Sequence, residues 1–84
     1  MKICFITFRS VTFAQRGEGI LRKAGMVCTL QRTPRWMEEQ GCGYCLRIRA
    51  SDVMGATELL RRKKVQFRKV YIQENDNTVE ELEV

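Results

Sequence analysis

An α+β domain of the ferredoxin-like plait type, a four-stranded antiparallel sheet with two helices on one face, is what this 84-residue sequence predicts. Three observations lead there. The length holds one domain with one modest core. Apolar residues make up 44% and charged residues 30%, an ordinary balance for a globular chain. The segments then read strand, helix, strand, strand, helix, strand, a βαββαβ order with a crossover helix after the first and third strands.

Lys2 to Phe8 is rich in Ile and Phe and apolar on both faces, which predicts a central strand. Thr7 breaks the run and Arg9 ends it, far short of the ~20 residues a membrane span needs. The small-residue cleavage site of a signal peptide is also missing. A cytoplasmic chain with no membrane partner is the expectation. Ser10 suits a helix N-cap, and Ala14, Gly17, Leu21 and Ala24 share one helical stripe, with Phe13 and Ile20 beside it. Gly25 supplies a left-handed stop. Gly17 and Gly19 each cost this helix about 1 kcal/mol relative to Ala, which fits either close packing on the sheet or a soft helix.

Met26 to Gln31 reads as the second strand. Thr33-Pro34-Arg35 leaves the ladder, because proline has no backbone donor, and a polar loop runs from Trp36 to Gly43. Tyr44 to Arg49 sets Tyr44, Leu46 and Ile48 against Cys45, Arg47 and Arg49, a strand with one buried and one wetter face. Ser51-Asp52 is expected to cap a second helix, with Val53, Ala56 and Leu60 inward. Arg61 to Lys64 in its last turn suit the helix dipole. Val65 to Gln73 contains the fourth strand. From Glu74 the chain is acidic and expected to fray, giving a domain over 1–74 and a tail over 75–84. A right-handed crossover puts the third strand between the first two, antiparallel to both. Arg9, Ser10, Thr33, Pro34, Arg35 and Cys42 should then gather at one end of the sheet.

Charge is unevenly spread. Up to Gln73 there are 15 basic residues against five acidic ones, whereas Glu74 onward holds five acidic residues and no basic one. A basic body with an acidic tail either attracts anions or neutralises itself by folding the tail back.

The four cysteines divide in two pairs. Cys4 and Cys28 sit in apolar sequence and read as small core residues, while Cys42 and Cys45 form Cys-x-x-Cys beside glycines. With no histidine in the chain, imidazole is absent as base and as metal ligand, and a Cys-His or Ser-His hydrolase is excluded. A four-cysteine zinc site needs a second closely spaced pair, so neither metal nor cofactor is expected. In the plait, Cys42 faces the amino end of the first helix with Arg9 and Arg35 in reach. A thiol titrates near ~8.5, and such neighbours favour the thiolate. Gly41 and Gly43 let backbone amides approach the sulfur. The bland alternative is a tight turn whose cysteine fills a gap. Cys45 reads equally as a resolving thiol or as a plain strand residue. A Cys42–Cys45 disulfide would make the chain a redox protein.

The ordered set Phe8-Arg9-Ser10, Ala14, Glu18, Leu21, Gly25, Thr33-Pro34-Arg35, Gly41-Cys42-Gly43, Leu46 and Ile48 resembles the small bacterial selenium/sulfur carrier-like domains. The likeness runs over residues 3–72. It implies that Cys42 holds a persulfide or selenide in a pocket shaped by Thr33, Pro34 and Arg35. It also implies a non-enzymatic carrier working between sulfur or selenium donor and acceptor proteins. Cys45 and the acidic tail depart from the family pattern, and a second thiol could discharge a persulfide.

A different class of function is open too. Arg47 and Arg49, joined by Phe67, Lys69 and Tyr71, mix cations with aromatics as single-stranded nucleic-acid binding on a plait requires. Gly43-Tyr44-Cys45-Leu46 meets the RNA-recognition signature only in part, so a solvated basic face is preferred. By analogy with other open-faced plaits, the uncovered sheet face would pair with a second copy in a homodimer. Trp36 could touch a partner, cover Cys42 or plug one end of the core.

Overall fold

The computed structural model describes residues 2–33, 43–74 and 78–83. The first strand, β1 (Ile3–Phe8), leads into helix α1 (Val11–Lys23) and strand β2 (Cys28–Arg32). Strand β3 (Tyr44–Arg49) passes through a 3-10 turn at Ala50–Asp52 into helix α2 (Val53–Arg62), followed by strands β4 (Val70–Gln73) and β5 (Val79–Leu82). The sheet order is β2-β3-β1-β4-β5, and every neighbouring pair is antiparallel. β3 lies between β1 and β2, as the crossover argument required. The expected four strands are exceeded by one. Residues 79–82 pair with β4 in place of fraying, Glu74 N donates to Thr78 O (2.8 Å) where β4 and β5 meet, and Leu82 packs against the core.

The apolar runs explain the layers. Along β1, Cys4, Ile6 and Phe8 point to the helices, where they meet Ala14 and Leu21 of α1, Val53, Ala56 and Leu60 of α2, and Leu46, Ile48 and Val70 of the sheet. Phe5 and Cys45 face the opposite side, with Ile3 and Tyr71 packed on them in a small second cluster. β1 is therefore buried on both faces, as a central strand should be.

Helix α1 begins where the sequence said it should. Ser10 Oγ accepts from Phe13 N (3.3 Å), and Gly25 follows the helix at φ 86°, a conformation that favours glycine. The two helix glycines differ. A Cβ on Gly17 would sit 3.2 Å from Phe8 Cζ and 3.4 Å from both Leu46 Cδ1 and Leu60 Cδ2, so close packing accounts for it; one on Gly19 would meet nothing within 4 Å. Ala24 is exposed, not part of the buried stripe. The cap expected at Ser51-Asp52 also needs correcting: no side chain there bonds to the helix, because the 3-10 turn feeds α2 directly.

Candidate functional site

Strand register fixes which residues share the end of the sheet where β1 stops. Phe8 pairs with Tyr44, and Tyr44 pairs with Arg32, so the last residue of β1, the first of β3 and the last of β2 form one row. Beyond that row Thr33 N donates to Gly43 O (3.0 Å), holding β2 and β3 together one step past the ladder. Arg9 and Ser10 follow Phe8 directly, and Ser10 is occupied in capping α1. Arg9, Ser10, Thr33 and Gly43 are therefore at one sheet end. Pro34, Arg35, Trp36, Gly41 and Cys42 lie outside the described residues. The chain leaves this end at Thr33 and re-enters at Gly43, the residue after Cys42.

The described thiols are all buried. Cys4 and Cys28 belong to the helix-side core, each paired in register with Ile48, and burial pushes both thiols up. Glu74 adds to the rise at Cys4. At Cys28 a contact with Arg22 offsets part of it, and the thiol is 4.0 Å from Glu18 O. Cys45 lies on the other face, fully buried between Thr7 of β1 and Gln31 of β2. Burial raises its pKa as well, and the adjoining Thr33 hydroxyl and Gln31 side chain lower it only in part. Thr33 Oγ1 itself is buried and forms no hydrogen bond of good geometry among the described residues. None of the three is poised as a thiolate at neutral pH. The residues described include no cluster of three His, Cys, Asp or Glu side chains able to hold a metal. No described helix is long and apolar enough to cross a membrane.

The structure gives Thr7, Phe13, Gln66 and Arg68 a place at this end that sequence reasoning missed, and moves Phe67 and Lys69 to it. The connection from α2 to β4 is bound to the end of β1 around Thr7. Arg68 N donates to Thr7 O (2.7 Å), Thr7 N donates to Lys69 O (2.8 Å), and Thr7 Oγ1 donates to Lys69 O (3.1 Å) while accepting from Lys69 N (3.0 Å). A groove of about 430 Å³ results, lined by Arg9, Phe13, Gln66, Phe67, Arg68 and Lys69. The signal for it was Thr7, a hydroxyl inside an apolar strand, which had to find a polar partner. A larger hollow, about 670 Å³, lies between the end of α2 and β5 and includes Glu81 and Glu83. The smaller one matters more here because it holds Arg9. The guanidinium of Arg32 also lies 5.8 Å from the Tyr44 ring centre in the terminal row.

The strip of aromatics that the alternative nucleic-acid-binding reading would need on the open sheet face does not assemble. Phe67 packs with the helix-side core, where Arg61 covers its ring at 5.3 Å, and Phe5 is 5% exposed. Arg47 and Arg49 are exposed, and Tyr71 remains as the partly buried aromatic between β1 and β5.

Among known families, the model described as "Putative Se/S carrier protein-like" matches residues 3–72, from the start of β1 into β4; β5 lies beyond it. No curated protein and no solved structure matches the chain.

Proposed function

The chain belongs to the Se/S carrier protein-like family, and from that premise we propose that it carries sulfur or selenium as a persulfide or selenide on Cys42. The observation that supports this most is the shared sheet end. Gly43, Thr33, Arg9 and the Ser10-capped start of α1 stand at one end of the sheet, and Gly43 directly follows Cys42 in the chain. A helix start and a guanidinium favour a thiolate over a thiol. The described cysteines are buried with raised pKa values, which speaks against them as the exchanging thiol and so supports the reading of Cys42. Pro34 and Arg35 would complete its pocket, and Gly41 and Gly43 would admit backbone donors to the sulfur.

The transfer balances without an external oxidant. The Cys42 thiol loses its proton to solvent, and the thiolate attacks the outer sulfur of a donor persulfide or the outer selenium of a donor selenopersulfide. The new S–S or S–Se bond forms on Cys42 while the donor's own S–S or S–Se bond breaks, and the donor leaves as a thiolate. An acceptor thiolate reverses the process. The chain needs no general base for this, which suits a sequence without histidine and a role as carrier for donor and acceptor proteins.

Incubating the protein with a cysteine desulfurase and cysteine, or with a selenium-releasing counterpart, and weighing the intact chain tests the reading. One added sulfur or selenium is expected on the wild type and on Cys45→Ser, and none on Cys42→Ser. An adduct that survives Cys42→Ser, or no adduct at all, defeats it.

A further inference from the structure

The carrier reading leaves most of one surface unused: the groove between the first turn of α1 and the α2–β4 connection. We propose that this groove docks an acidic, aromatic-bearing peptide segment of the protein that exchanges sulfur or selenium with this chain. In naming that partner the proposal rests on the carrier reading; the recognition chemistry stands apart from it.

Charge complementarity carries the assignment. Arg9, Arg68 and Lys69 line the groove with Gln66, and no carboxylate is among its described lining residues, although Arg68 and Lys69 each also make another contact. The first turn of α1 contains no acidic residue, so nothing within the helix offsets its positive end. Glu81 reaches Lys69 from β5 at 3.6 Å, but both groups are about half exposed, and an ion pair in that setting is readily exchanged. The apolar component is Phe13, 37% exposed, and the partly buried Phe67. Four polar side chains against two rings is the reverse of a small-molecule pocket, whose lining is mostly apolar. It matches the mixed character of a protein interface with an aromatic anchor.

Single-stranded nucleic acid fits less well. Stacking successive bases needs successive open rings, whereas of the two described rings that line the groove the Phe67 face is taken by Arg61 and Phe13 alone is exposed. The groove is also preformed, since the bonds around the buried Thr7 fix the backbone of Arg68 and Lys69 before anything binds. Its position suits exchange. Arg9 follows Phe8, Phe8 pairs with Tyr44, and Tyr44 adjoins Gly43, so a docked segment lies at the sheet end to which Cys42 leads.

A fluorescein-labelled peptide of Asp and Glu around one Phe, titrated with the full chain and followed by anisotropy at low salt, provides the test. Wild type should bind, and Arg9→Glu and Phe13→Ala should each weaken binding by about fivefold or more. The double substitution Arg47→Ala, Arg49→Ala, on strand β3 away from the groove, should bind as wild type. Arg9→Gln serves if the charge reversal unfolds the chain, with weakening again expected. No binding, or equal loss in the groove and β3 variants, overturns the proposal. So does an oligouridylate that binds more tightly than the peptide and is lost with Arg9→Glu, an outcome that assigns the groove to RNA. Cys42→Ser should bind the peptide normally. Peptide binding without sulfur uptake would therefore sink the carrier reading alone, and sulfur uptake without peptide binding would sink the groove alone.

Discussion

Cys45 is a strand residue on the face away from the helices, yet none of its surface reaches solvent. Thr7 and Gln31 flank it in register, and Phe5 packs with it in the same small cluster. A resolving role for this thiol would require the cluster to open, because a buried neutral thiol does not attack. Native-state alkylation at neutral pH, read by peptide mass spectrometry, should leave Cys4, Cys28 and Cys45 unmodified until denaturant is added. Early labelling of Cys45 would instead restore it as an exchange partner for Cys42. The three thiols also set an alkaline limit. Their folded pKa values are raised, so the folded chain keeps these protons to higher pH than the unfolded chain does. The stabilisation is complete below the ordinary thiol range and declines as pH rises through it toward the folded values. The urea midpoint should accordingly fall above about pH 8.5, and Cys45→Ala should flatten part of that fall. A midpoint that stays level into the alkaline range would contradict this.

Helix α1 shows two glycines with opposite consequences. Gly19 is exposed with open space at its Cβ position, so Gly19→Ala gains helix propensity without steric cost. It should stabilise the fold by about 0.5–1 kcal/mol. At Gly17 the same propensity gain meets Phe8, Leu46 and Leu60, all fully buried and unable to withdraw far. Overpacking of this kind costs about 1–3 kcal/mol, so Gly17→Ala should destabilise by about 1 kcal/mol net. Denaturant melts of the two variants decide the matter, and a stabilising Gly17→Ala would show that the helix can lift from the sheet freely. At the start of the helix, Ser10→Ala removes the acceptor of Phe13 N and should cost about 1 kcal/mol by the same melts.

At the scale of the whole molecule the acidic tail is structural. Val70 to Gln73 pair with Leu82 to Val79, and Lys2–Glu74 (3.3 Å) and Lys69–Glu81 (3.6 Å) bring its charges to basic residues of the body. Both ion pairs are open to solvent, with Glu74 partly buried, and contribute little, so the backbone ladder and Leu82 hold β5 in place. Leu82→Asp puts an unpaired charge against the core margin and should release β5. Hydrogen exchange by NMR should then show faster exchange in β4 on the side that faces β5, with β1 and β3 still protected. Unchanged protection in β4 would mean that β5 adds nothing to the sheet.

The sequence alone determined the order of the first four strands and the two helices, the inward stripes apart from Ala24, the centrality of β1 and the Ser10 and Gly25 boundaries of α1. Each follows from local periodicity or from the conformational preference of one residue, and periodicity acts over a few neighbours. Reading Cys4 and Cys28 as small core residues belongs with these, since their apolar surroundings are contiguous in the chain. Tertiary structure decided the rest. Four acidic-tail residues became a strand because β4 offered an unpaired edge, and Leu82 had a core margin to reach. Phe67 left the open sheet face, and Arg68 and Lys69 joined Arg9, because Thr7 needed a partner that lies 62 positions away. Hydrogen bonds and burial at that separation depend on which strands become neighbours, a property that no local stretch of sequence contains.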